Sequence, residues 1–206
     1  MSAVFDPRFF GTAFVTLFVI MDPPGTIPIF LGLTGHLNSR ARGRAATQAV
    51  AVSFGVITLF AIFGQRILEY LGISLPALQA AGGLLLLLVA LELLTGKAER
   101  PEARDDVNIA FVPLGTPLLA GPGAIVATIV FVQRANGDVS QLISLALAIL
   151  AVHIVLWLTM RFSGALIKVI GENGVTLITR IAGLLLSAIA VQLVANAIRA
   201  FVQGSG

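Results

Sequence analysis

Six apolar stretches take up most of this chain: Phe9 to Leu33, Ala45 to Gly64, Ile73 to Leu94, Ile109 to Val132, Leu142 to Met160 and Ile181 to Val202. About twenty residues of α-helix match the ~30 Å hydrocarbon thickness of a bilayer, where every backbone polar group must be satisfied internally. The sequence therefore predicts an all-α, polytopic membrane helical bundle of six transmembrane segments with the lipid bilayer as its solvent. Hydrophobic residues make up 57% of the chain and charged residues 11%, which leaves no material for a soluble domain. Residues 1–206 read as a single transmembrane domain, with halves at 1–98 and 106–206 and a charged loop over 95–108. Asp6 and Arg8 precede a first segment too long for a secretory signal core, so Phe9 onward is expected in the mature protein.

The first segment is not a plain anchor. Asp22-Pro23-Pro24-Gly25 puts a carboxylate and two helix breakers in its middle. Ninety-eight residues after Asp22, the quartet Ala120-Gly121-Pro122-Gly123 interrupts the fourth segment at a matching place. Prolines cannot continue a preceding helix but suit the first turn of a new one, so a half-helix should begin at each break, with Asp22 as the cap of the first. Unwound backbone survives at membrane depth only where protein or water satisfies it. Free amides and the positive dipole end of a half-helix attract an anion such as a substrate carboxylate, and Gly25 and Gly123 would let it approach the backbone. Asp22 then has three roles open to it: binding a substrate ammonium or coupling cation, carrying a proton, or capping its helix. Ala120, its counterpart, carries no charge, so the two breaks cannot act identically.

The halves repeat beyond the breaks. Gly83-Leu84-Leu85-Leu86 recurs as Gly183-Leu184-Leu185-Leu186, and Ala90-Leu91-Glu92-Leu93 as Ala190-Val191-Gln192-Leu193, each one hundred residues on. Three crossings per half would turn the second half upside down, giving an inverted repeat about an axis in the membrane plane, as in many secondary transporters. If the broken segments are instead re-entrant hairpins, the repeat is parallel. Charge does not choose between these arrangements. With six crossings, Arg40, Arg42, Arg44, Lys97, Arg100, Arg104, Arg161, Lys168 and Arg180 face one side and Arg8, Arg66, Arg134 and Arg199 the other; with hairpins the division is again nine to four.

Met21-Asp22-Pro23-Pro24-Gly25-Thr26-Ile27-Pro28-Ile29-Phe30-Leu31 and Pro117-Leu118-Leu119-Ala120-Gly121-Pro122-Gly123-Ala124-Ile125 resemble the two signature segments of the MarC family of bacterial and archaeal inner-membrane proteins. The resemblance spans nearly the whole chain. It implies a multi-pass protein of the cell membrane. The family includes transporters of small neutral amino acids of the alanine and glycine kind, beside many members with no established substrate. Such a transporter, with its substrate held at the paired breaks, is the expectation, and an exporter or facilitator of another small metabolite or a non-transporting membrane scaffold is the alternative. Thr26 departs from the asparagine that often follows the glycine in that signature. It keeps a hydroxyl but loses the amide's reach and second donor.

The candidate substrate-binding set is thus Asp22, Pro23, Pro24, Gly25, Thr26, Thr116, Ala120, Gly121, Pro122 and Gly123, with a neutral amino acid or similar zwitterion as ligand. H+ or Na+ is the expected coupling ion, with Asp22, Glu92 and His153 as candidate carriers. Glu92 has the alternative of snorkelling to the interface, and His153 that of a neutral helix–helix hydrogen bond. Gln192 and Asn196 are expected to bond between helices. His36 has no partner at metal-ligand spacing.

The chain has no cysteine, hence no disulfide, thiolate nucleophile or sulfur-ligated metal. A pI near 10.2 does not indicate nucleic acid, because the basic residues are spread along membrane loops. No nucleophile elbow, P-loop or HExxH motif is present, so no enzyme and no cofactor is expected. Transport would be passive or driven by an ion gradient. Substrate identity, direction, coupling ion, the side of the termini and oligomeric state stay open.

Overall fold

The computed structural model describes residues 4–95 and 119–203. Among them every regular element is helical: α1 (Pro7–Met21), α2 (Pro23–Thr34), α3 (Ser39–Leu71), α4 (Leu75–Thr95), α5 (Pro122–Ala135), α6 (Val139–Arg161) and α7 (Ser163–Val202). Five runs are long and apolar enough to cross a membrane, with α1 and α2 together forming the first, and α5 is a shorter apolar helix. The helices start and stop where local chemistry directs. Asp6 caps α1 by accepting from the amides of Arg8 and Phe9 at 3.0 Å. Asn38 caps α3 by accepting from the Ala41 amide at 2.9 Å. Asp138 caps α6, and its bonds from the Ser140 hydroxyl and from the amides of Gln141 and Ser140 hold its carboxyl below the usual range. Gly72 ends α3 in the left-handed region, with φ at 66°, where a glycine carries no Cβ penalty.

Two elements run beyond their apolar stretches. The third helix occupies Ser39–Leu71 rather than only Ala45 to Gly64, because no proline or unfavourable glycine conformation interrupts its polar ends. The last helix begins at Ser163, far ahead of Ile181, and is interrupted once, at Gly171 with φ 75° and ψ 159°. The stretch before Ile181 is therefore helix rather than connecting loop, and this places Thr179 on a packed face.

The helix α6 gives the bundle its direction. At its start, Ser144 Oγ accepts from the Asp6 amide at 2.8 Å. At its end, Arg161 lies against Gly43, just past Arg42, whose Nη2 donates to the Thr34 carbonyl at 3.3 Å. The α1–α2 run thus enters at one end of α6 and leaves at the other, a through-going path rather than a hairpin. α3 returns antiparallel to α6: Trp157 Nε1 donates to Thr47 Oγ1 at 3.0 Å, and Ser53 pairs with His153 at 3.1 Å.

The helices α4 and α7 form the other seam. A Cβ on Gly83 would stand 2.8 Å from the Ala190 carbonyl, and one on Gly183 would stand 3.2 Å from the Ala90 carbonyl. The two glycines let the backbones approach closely, the means by which membrane helices gain packing when lipid offers no hydrophobic incentive. Leu86, Ala90, Leu186 and Ala190 are buried along this seam with Val19, Val126 and Val130. A larger core gathers Leu17, Met21, Phe30, Ala120, Ala124, Phe131, Val152 and Leu156. Outward faces carry leucine and isoleucine, Leu59, Ile62, Leu84, Leu88, Leu158 and Leu184 among them, as lipid contact requires.

Candidate functional site at the helix breaks

Pro23 and Pro24 have no N–H, so the carbonyls of Val19 and Ile20 lose the donors that a continuing helix would supply four residues on. Between the two helices Asp22 takes a left-handed conformation, φ 39° and ψ 67°, unusual for any residue but glycine and most accessible to asparagine and aspartate. Its amide still closes α1 on the Phe18 carbonyl at 3.1 Å, and its carbonyl opens α2 by accepting from the Thr26 amide at 3.1 Å. Its side chain makes no cap bond. Asp22 is 7% exposed; its carboxylate faces the Gly25 amide, but neither oxygen makes a hydrogen bond of good geometry. A buried acid in that condition is costly unless something cationic or a proton meets it.

Gly25 lies under that carboxylate. A Cβ there would run into Asp22 Oδ2 and would also stand 3.3 Å from Thr179 Oγ1 on α7. Thr26 is buried next to it, and its hydroxyl donates to the Pro23 carbonyl at 2.6 Å, so only its lone pairs remain for a ligand. At the second break Gly121 is extended and Pro122 opens α5, with the amides of Ala124 and Ile125 both closing on the Gly121 carbonyl at 3.0 and 3.2 Å. The space in front of Gly123 is filled by Leu86, with Ile20 Cγ2 3.4 Å from where its Cβ would be. Ile20 precedes Asp22 by two residues, so the two breaks meet in one region of the core. Ala120 is buried there, and Thr116 lies outside the described residues.

The remaining candidates lie elsewhere. Glu92 is exposed on α4, three residues from its end. His153 is buried, with Nδ1 2.7 Å from the Ile149 carbonyl and Nε2 3.1 Å from Ser53 Oγ. A carbonyl only accepts, so Nδ1 carries the proton, and in the neutral ring Nε2 accepts from the serine hydroxyl. Gln192 and Asn196 bond each other at 2.8 Å, one turn apart on α7, instead of reaching across helices. With Thr16 and Arg134 they line a groove of about 310 Å³.

Replacing Ser53 by alanine should leave the His153 Nε2 unpartnered in a dry interface, a cost of about 1–3 kcal/mol. The expected reading is a lower thermal midpoint with any transport activity per folded molecule unchanged. Loss of gradient-driven uptake from folded protein would return His153 to a proton-coupling role.

Thr179 was not singled out by the sequence, because it sits in the polar stretch between two apolar runs.

A sequence profile described as MarC family integral membrane protein matches residues 7–202. The chain is 38% identical to a UPF0056 membrane protein of Methanocaldococcus jannaschii, over 94% of this chain and 98% of that one. It is 33% identical to the UPF0056 inner membrane protein MarC of Citrobacter koseri, over 91% and 93% of the two chains. To the UPF0056 membrane protein YhcE of Escherichia coli it is 32% identical, over 99% and 98%. No solved structure matches the chain.

Proposed function

The chain belongs to the MarC family of integral membrane proteins, and from that premise we propose that it is a secondary transporter of small neutral amino acids, alanine- or glycine-like, with the substrate held at the paired breaks. The observation that carries this reading is Asp22: a carboxylate buried in the bundle core, at the junction of two half-helices, with neither oxygen satisfied. A zwitterion suits the place. Its ammonium meets Asp22, and its carboxylate is drawn to the positive N-terminal end of α2, where it would share the Gly25 amide with Asp22. The second break contributes Gly121 and the Pro122-Gly123 turn. The protein performs no covalent chemistry in this reading and needs no cofactor.

Rocking of one half against the other is common among transporters built from inverted repeats, and two reciprocal contacts support such a repeat here. Gly83 faces Ala190 while Gly183 faces Ala90, so adding one hundred to one partner and subtracting it from the other regenerates the contact. Ser53 bonds His153, its own counterpart one hundred residues on. Both pairs join antiparallel helices, and an axis exchanging antiparallel membrane helices lies in the membrane plane.

Uptake of radiolabelled alanine and glycine into proteoliposomes, with and without proton or sodium gradients, tests the proposal. Saturable uptake that neutral amino acids compete for supports it. Folded protein inert under every gradient and in counterflow would leave a membrane scaffold or a carrier of another metabolite in its place.

A further inference from the structure

We infer that α7 completes the first break as a binding site for a small monovalent cationic group, formed by the Asp22 carboxylate, Thr179 Oγ1 and the main-chain carbonyls of Val19 and Ile20. Thr179 is the new element, and the inference rests on the transport reading of the same break.

Four features converge there. Asp22 supplies one negative charge, more than nine-tenths buried and without a partner. The carbonyls of Val19 and Ile20 lie in the last turn of α1 and point along its axis toward the break, and Pro23 and Pro24 cannot bond them. The negative end of the α1 dipole adds to the carboxylate's attraction for a cation, and the positive end of α2 at the same junction offsets part of that gain. Thr179 approaches from α7, and its Oγ1 borders the same space at Gly25 that Asp22 Oδ2 occupies. Several helical threonines turn their hydroxyls back on their own helix, Thr26 to Pro23, Thr34 to Phe30, Thr128 to Ala124 and Thr176 to Glu172 among them. Thr179 instead faces across an interface. Its neighbour Arg180 is exposed, so its charge is turned away from the site.

The donor set is all oxygen and carries a single formal charge. That composition suits Na+ or an ammonium group and is too lightly charged for a calcium site, which gathers six to eight oxygens with several carboxylates. Among the described residues no group of three or more His, Cys, Asp or Glu side chains converges as a metal site would require. Because α7 supplies a ligand to the α1–α2 junction, occupancy would tie the last helix of one half to the break of the other.

The test is the thermal midpoint of the purified full-length protein in sodium, potassium, lithium and choline chloride at equal ionic strength, without amino acid, followed by alanine titration in choline. We expect saturable stabilisation by sodium or by alanine, absent in Asp22→Asn. In Thr179→Val the apparent affinity should fall about tenfold, and Thr179→Ser should restore it. Stabilisation by sodium alone identifies an inorganic ion, and stabilisation by alanine in choline identifies the substrate's ammonium; either supports the site. Wild-type affinity in a folded Thr179→Val protein overturns the inference, as does equal stability in all four salts together with no response to alanine. Proteoliposome uptake is scored separately. Alanine uptake with stabilisation by neither the salts nor alanine removes the cation site and keeps the transporter, whereas sodium stabilisation without uptake removes the transporter and keeps the site.

Discussion

Asp22→Asn should sharply weaken alanine uptake at low alanine while leaving the protein folded and no less heat-stable. The substitution keeps the size and shape of the side chain and removes its charge. If Asp22 meets an ammonium or a coupling ion, that loss forfeits a charge-assisted contact of about 2 kcal/mol, or about thirty-fold in apparent affinity. Stability should move the other way. In the unliganded protein the carboxylate is buried with both oxygens unpartnered, and a neutral amide is cheaper to bury than an anion. Uptake assayed beside the thermal midpoint separates the two roles. A transporter loses activity and keeps or gains stability, because a ligand site tolerates strain that the ligand relieves. A residue serving only to shape the break would show the reverse, with stability falling and any transport retained. Gly25→Ala supplies a steric companion, since its methyl would take the place that Asp22 Oδ2 occupies.

How much of this is legible in the sequence depends on whether a feature is local. The break at Asp22 was readable because prolines lack donors wherever they sit, and an acid in an apolar run stands out against it. The left-handed backbone of Asp22 was not, since the expectation of an ordinary N-cap assigned its side chain to an amide that it does not bond. Charge could not choose between a crossing and a hairpin for the first segment. The contacts of Asp6 with Ser144 and of Arg42 with Thr34 at opposite ends of α6 did, and both link residues far from the break. Thr179 was invisible for a related reason. Its importance depends on the helix after Gly171 beginning well ahead of Ile181 and packing on α2, and polar residues before Ile181 conceal that start from any hydropathy pattern. Gln192 and Asn196 show the converse error: their i, i+4 spacing allows a bond along one helix, which needs no partner helix at all.

The repeat was legible as a match of letters, and the structure turns it into a prediction about a seam. In Gly83→Ala the new methyl would stand 2.8 Å from the Ala190 carbonyl and 3.2 Å from the Val194 amide nitrogen. Both obstacles are backbone, so α4 and α7 must move apart, and overpacking of this kind costs about 1–3 kcal/mol. In Gly183→Ala the methyl meets Leu93 Cβ at 3.0 Å and the Ala90 carbonyl at 3.2 Å, a milder clash that should cost less. Gly55→Ala is the control: nothing lies within 4 Å of its Cβ position, and alanine is the better helix former. Thermal midpoints should therefore rank Gly55→Ala highest, then Gly183→Ala, then Gly83→Ala. The double variant carries the argument further. Gly83 and Gly183 are reciprocal contacts of one helix crossing, so separation forced by the first methyl makes room for the second, and the combined loss should be smaller than the sum. Full additivity would mean that the two glycines pack independently, and the support they lend to an inverted repeat would fall with it. Because α7 also carries Thr179, the separated seam should draw that hydroxyl away from Asp22, so uptake at low alanine should fall in the same order as stability.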